Sequence, residues 1–442
     1  AGNAEAELAS DITGNVALEQ ASGATGTAQV TFDAGGAQAV NGDIVTLNPG
    51  SQDLDGDTRV VATGASTAVT VNGTVGSTDA SSISAAPGVS SVGAVGDLIV
   101  EDGATLEVTG NVNAGVIGVD SSSASAGATF GGNIDAGIVT ILHDEGGNTE
   151  TITLDGGAAQ TVNGDIIADS ASDAAAGDIT VTGASTDVTF EGTIGSTNVD
   201  LTGITGVDSA QSLESLTVAS DAVATLNADA DFNGAVNITS TAADTFTNNA
   251  DLTVGGAFDI VGTFNNTANA TAEITGDVTS GGTIANAGTL TLNGANNAAT
   301  INNNGTLEIG TQLTNTGTID LSATSGETAT VDLGALTDGQ TAIAGGTADL
   351  TGSARVLLNP ALASAETVII ADNTAATTNG NLAANVSQLT VANALRQVTV
   401  DTTTNPGAVT ATIGAANTAE QTAAALGVSA ANGAKLNQAG NE

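Results

Sequence analysis

Three carboxylates at alternate positions, in Asp53-Leu-Asp55-Gly-Asp57, are the residues of this chain best suited to hold a metal ion. Hard oxygen ligands of this kind select Ca²⁺ or Mg²⁺, and the spacing lets them converge on one Ca²⁺. The run does not complete the helix-loop-helix calcium consensus: its sixth position is Thr58 where Gly is needed, and its twelfth is Gly64 where Glu is needed. His143-Asp-Glu145 holds the only histidine, but no nucleophile stands beside it, so a loop residue is expected there. Glu101-Asp102 is a carboxylate pair, yet neighbours along a strand or turn face different ways and do not act on one bond. The absence of Cys excludes a disulfide framework, thiol catalysis and thiolate metal sites. With no Trp or Tyr to stack on sugars and its arginines scattered, the chain is not expected to be an enzyme or a glycan hydrolase.

The elements that would position these residues are short strands. In Asp178-Ile-Thr-Val-Thr182 and Asp187-Val-Thr-Phe-Glu191, apolar Ile179, Val181, Val188 and Phe190 alternate with polar neighbours, and Gly183 and Gly192 follow as turns. Leu98–Val100, Thr105–Thr109 and Ser215–Val218 read the same way. Strands so short, with turns so frequent, satisfy their backbone groups most simply by stacking in parallel coils.

A duplication supports that architecture. Thr31-Phe-Asp-Ala-Gly-Gly-Ala-Gln-Ala-Val-Asn-Gly-Asp-Ile-Val45 returns as Thr153-Leu-Asp-Gly-Gly-Ala-Ala-Gln-Thr-Val-Asn-Gly-Asp-Ile-Ile167. Gly64-Ala-Ser-Thr-Ala-Val-Thr-Val-Asn-Gly-Thr-Val-Gly-Ser-Thr78 returns as Gly183-Ala-Ser-Thr-Asp-Val-Thr-Phe-Glu-Gly-Thr-Ile-Gly-Ser-Thr197. Self-similarity on this scale marks a β-solenoid, in which each coil packs only on its neighbours. Between about residues 245 and 325 an Asn-x-Gly-Thr-apolar-x-apolar unit recurs from Asn286, Asn303 and Asn315. Asn and Gly suit the corner, and equivalent asparagines can stack as a side-chain hydrogen-bond ladder. An ice-binding face would need threonines in a regular flat rank, and no such rank is visible in the order of the residues.

The strands lengthen after residue 345, as in Ala354–Leu358 and Glu366–Ala371. Asn417-Thr-Ala-Glu420 then reads as an N-cap opening an Ala-rich helix through Leu426, with a second turn over Ala430–Leu436. The expected organisation is an N-terminal cap or assembly segment over 1–30 and a β-solenoid over 31–345 containing a duplicated unit, about 31–112 and 153–235. C-terminal coils over 346–415 and a helical tail over 416–442 complete it.

Composition sets the limits on partners. The 442 residues include 58 Gly, 7 Phe and no Met, Trp or Tyr, so small and β-branched side chains must fill the interior. Four basic residues against 48 acidic ones give a formal net charge of −44. Phosphate neutralisation needs clustered Lys and Arg, so nucleic acid is not a partner, and an anionic membrane surface would repel the chain. No apolar run is long enough to span a bilayer. Ala1-Gly-Asn-Ala has the look of the mature side of a signal-peptidase cut, which points to export.

The Gly-Thr-apolar corners, the Glu366-Thr-Val-Ile-Ile-Ala-Asp372 strand after them and the Ala-rich helical tail resemble the passenger of a bacterial autotransporter. The likeness is to the surface-layer type typified by rickettsial outer-membrane protein B. It implies a right-handed parallel β-helix, exported through a C-terminal membrane barrel and cleaved from it at the cell surface. The expected function is therefore a non-enzymatic secreted structural protein that self-assembles into a surface array or filament, with Ca²⁺ as the candidate cofactor and copies of itself as partners. The alternative is an adhesin that binds cell-surface glycans or outer-membrane components of a host or neighbouring cell.

Overall fold

Apolar residues at every second position need one common interior, and parallel stacking gives it to them. The computed structural model describes residues 4–19, 27–47, 58–76, 92–121, 124–142, 148–169, 176–197, 210–239, 241–321, 329–349, 354–372, 390–393, 395–402 and 407–426, with single positions at 429, 432 and 435. Its contacts divide the chain into two units, Ala1–Phe246 and Thr247–Glu442.

In the first unit, Ala37–Asn41, Ala68–Val71, Thr105–Val108, Ala126–Phe130, Glu150–Leu154, Ala176–Val181 and Leu213–Val218 pair in that order, all in parallel. The register places Val69, Leu106, Ala128, Ile152, Ile179 and Leu216 in one inward column, each no more than 2% exposed. Burying a Val, Leu or Ile side chain contributes about 1.5–3 kcal/mol, and each also packs against its equivalents in the coils on either side. A second series begins Ala4–Leu8, Ala28–Phe32, Thr58–Ala62 and Val95–Glu101, again parallel. The alternation expected over 178–191 is present, with Ile179, Val181, Val188 and Phe190 all buried.

The second unit repeats the plan with shorter coils. Thr271–Ile274, Thr289–Leu292, Thr306–Ile309, Thr330–Leu333, Arg355–Leu358 and Thr390–Asn393 form one parallel series. Thr263–Asn266, Thr283–Asn286, Thr300–Asn303, Thr318–Asp320 and Thr347–Asp349 form another. Each unit is thus a parallel β-solenoid. Phe258 and Phe264 meet edge to face in this interior, with ring centroids 5.0 Å apart.

The parallel order ends where Ala408–Ala416 pairs antiparallel with Thr367–Asp372 on one side and Arg396–Asp401 on the other. Helix Ala419–Leu426 follows. Its N-cap is Thr418 rather than the expected Asn417: Gln421 N–H donates to Thr418 Oγ1 at 3.3 Å, and Thr418 N–H donates to Gln421 Oε1 at 2.8 Å. This is a capping box one residue later than the sequence suggests. Asn417 is drawn into tertiary structure instead, where it is 7% exposed and its Nδ2 donates to Asn393 O at 3.1 Å. Most of the turn expected over 430–436 lies outside the described residues.

Candidate functional site

Asp53, Asp55 and Asp57 lie outside the described residues, as do His143, Asp144 and Glu145. Among the described residues, no group of three or more His, Asp or Glu side chains is arranged to hold a metal ion. The carboxylate pair is placed: Glu101 ends the strand Val95–Glu101, and Asp102 follows in the left-handed region at φ 55°. Glu101 also lies in register with Asp120 on the next coil. Burial raises the Glu101 pKa above the ordinary carboxylate range; the charges of Asp102 and Asp120 push the same way, against a hydrogen bond with Thr63 and the charge of Arg59.

A raised carboxyl pKa means that the folded state holds the proton more tightly, so stability falls as pH rises from the unfolded to the folded pKa. Glu101→Gln removes that loss. We expect the variant to be more stable than wild type at pH 7, by about 0.5 kcal/mol because water screens this half-buried group. The gain should vanish below the unfolded carboxylate pKa, as read from thermal melts at pH 7 and pH 3. An equal effect at both pH values would show that charge is not the cause.

The duplicated boxes mark a different kind of site, a clasp between adjacent coils. In the first copy, Gly35 N–H donates to Thr67 Oγ1 at 3.2 Å, and Thr74 N–H donates to Asp43 Oδ1 at 2.9 Å. In the second, Gly157 N–H donates to Thr186 Oγ1 at 3.1 Å, and Thr193 N–H donates to Asp165 Oδ1 at 2.8 Å. Thr67 and Thr186 are buried, and Ser66 and Ser185 just before them take matching left-handed φ values of 76° and 73°. Gln38 and Gln160 also match: Nε2 of Gln38 donates to Leu8 O at 2.7 Å, and Nε2 of Gln160 donates to Phe130 O at 2.9 Å. The two boxes recur together because each bonds to the other across one coil step.

No family model, curated protein or solved structure matches this chain. All seven phenylalanines are fully buried, and Val261, at 40%, is the exposed large hydrophobic residue among the described residues. Outward positions carry hydroxyls, amides and carboxylates. They do form ranks, contrary to the expectation for threonine. Thr263, Thr283, Thr300, Thr318 and Thr347 stand in register on successive coils, at sequence intervals of 17 to 29 residues. Unequal turn lengths hide the rank in the sequence. The outward column two residues on reads Asn265, Ala285, Asn302, Asp320 and Asp349, so hydroxyls run beside carboxylates.

Asparagine ladders are the part of the polar pattern that the sequence did show. Asn248, Asn266, Asn286 and Asn303 are all buried. Each Nδ2 donates to the next Oδ1, at 3.0, 2.8 and 2.7 Å in turn. Asn315 carries the same motif as Asn286 and Asn303 but stacks elsewhere, accepting from Asn297 Nδ2 at 2.7 Å. The motif therefore encodes a coil corner and not one particular corner. The Asn-lined binding face that such a repeat could suggest is turned inward instead. Among the described residues no helix is long and apolar enough to cross a membrane.

Proposed function

We propose that this chain is a non-enzymatic structural protein, exported like an autotransporter passenger, that assembles with copies of itself into an extracellular array or filament on a bacterial surface. The observation that carries the reading is how the rungs are joined. The strand series of both units are held by parallel backbone pairing, up to the antiparallel strands around Ala408–Ala416, and are reinforced by polar side chains that bridge coil to coil. A rung that ends such a stack offers the same donors and acceptors that join the inner ones. The burden of net charge −44 opposes contact between copies, so divalent cations are required to screen and bridge the carboxylates.

Electron microscopy of the purified chain in millimolar Ca²⁺, and again after chelation, tests this. Ordered sheets or filaments that disperse with chelator are expected. Separate particles in both conditions at physiological salt would overturn the array and leave the adhesin reading, to be pursued by attachment assays on cell-surface glycans.

A further inference from the structure

Charge is distributed unevenly along the chain. Residues 1–350 contain 43 acidic residues and one basic residue, Arg59; residues 351–442 contain five acidic residues and three basic ones, Arg355, Arg396 and Lys435. Arg59 is engaged within its own unit, its Nε 3.3 Å from Asp97 Oδ2. Arg396 forms no ion pair among the described residues, and it lines a cavity of about 330 Å³ with Asn393, Gln397, Asn417 and Gln421.

Hydrogen bonds within the walls of that cavity occupy the side-chain oxygens of Asn393 and Gln421. Asn393 Oδ1 accepts from Leu395 N–H at 2.9 Å and from Arg396 N–H at 3.0 Å, while its Nδ2 donates to Asn359 O at 2.6 Å. Gln421 Oε1 is occupied by Thr418 N–H at 2.8 Å. Toward a ligand the cavity presents the forked guanidinium of Arg396, with the side-chain amides of Gln397 and Gln421 beside it. A planar guanidinium flanked by amide N–H groups suits a carboxylate, which accepts two parallel bonds from it.

We propose that the Arg396 cavity is a carboxylate site, and that its occupant is an acidic side chain from the first 350 residues of a second copy. Charge selects that partner: the acid-rich stretch strongly repels its equivalent in another copy, whereas residues 351–442, with five acids against three bases, repel it little and present the Arg396 guanidinium to it. The two surfaces in contact are different, so each copy can receive one neighbour and be received by another, the head-to-tail arrangement that lets assembly continue. This inference rests on the self-assembly reading and supplies its contact.

The chain has three arginines, so Nε-¹⁵N-arginine labelling gives three side-chain signals, with Arg59 as an internal control. The labelled wild-type chain would be titrated with hexaglutamate and, separately, concentrated in millimolar Ca²⁺. The signal assigned by its loss in Arg396→Gln should shift in both series while that of Arg59 stays fixed. Arg396→Gln should raise the concentration needed for assembly at least tenfold, and Arg396→Lys should recover part of it. Assembly unchanged in Arg396→Gln would overturn this contact and leave the array standing. A chain that never assembles but whose Arg396 responds to hexaglutamate would overturn the second copy as occupant together with the array. An Arg396 signal unmoved in both series would overturn the carboxylate site itself.

Discussion

Replacing Asn286 by Leu is expected to destabilise the second unit by about 3 kcal/mol or more, although the two side chains are similar in size. Asn286 is 1% exposed and lies inside a ladder. Its Oδ1 accepts from Asn266 Nδ2 at 2.8 Å, and its own Nδ2 serves both Asn303 Oδ1 at 2.7 Å and Thr306 O at 2.9 Å. Leucine would leave those two acceptors without this donor in a place that water does not reach, at roughly 1–3 kcal/mol for each buried group. Asn266 would lose one acceptor but keep Thr289 O, at 2.8 Å. Asn286→Asp is the sharper variant. An ionised carboxylate keeps the bond from Asn266 but turns only lone pairs toward Asn303 and Thr306, so it should be at least as damaging as Leu at pH 7. It should recover partly in acid, where the protonated group donates again. Denaturant unfolding of the three chains at pH 7 and pH 4 decides it. If Asn286→Leu unfolds within 0.5 kcal/mol of wild type, the ladder contributes no net stability by the usual scale for surface changes.

Gly110→Ala should have an effect of similar size in the first unit, for a steric reason. Gly42, Gly73, Gly110 and Gly132 sit at successive corners, where one coil lies directly on the next. A Cβ added to Gly110 would lie 2.5 Å from the carbonyl oxygen of Gly73 and 2.8 Å from its carbonyl carbon. Those atoms are backbone and cannot rotate away. Relief would mean parting the coils and stretching the 3.1 Å bond from Gly110 N–H to Gly73 O. Overpacking that forces a backbone shift costs about 1–3 kcal/mol, and here the upper end is expected because two adjacent coils must move. Gly36→Ala is the control, since a Cβ there meets nothing within 4 Å. It should be neutral or slightly stabilising by restricting the unfolded chain. Thermal unfolding of both variants tests the pair; equal destabilisation would show that close approach of the coils is not the cause.

The sequence made the strands legible because alternation is local. Whether Ile179 and Val181 face inward depends on their spacing and on the period of two, and both are buried as expected. The asparagine corners were legible for the same reason, since residue type and the following Gly-Thr suffice to recognise them. The helix was found with its cap displaced by one, because Asn417 is in isolation the better cap of the two and its contact with Asn393 O leaves the role to Thr418.

Identical motifs leave partners undetermined. Nothing local distinguishes Asn315 from Asn286 and Asn303, yet it bonds to Asn297 in a different ladder. The threonine rank was invisible because turns of unequal length separate residues that backbone pairing brings into register. The cavity around Arg396 joins residues from the parallel strand Thr390–Asn393, the antiparallel strand Arg396–Asp401 and the helix, with no linear signature. Residue order alone reveals what repeats along the chain: inward apolar residues, corner asparagines, the duplicated boxes and an excess of acidic over basic residues. Tertiary structure alone decided what stacks on what, because register is set by hydrogen bonds between coils and those bonds join residues far apart in the chain.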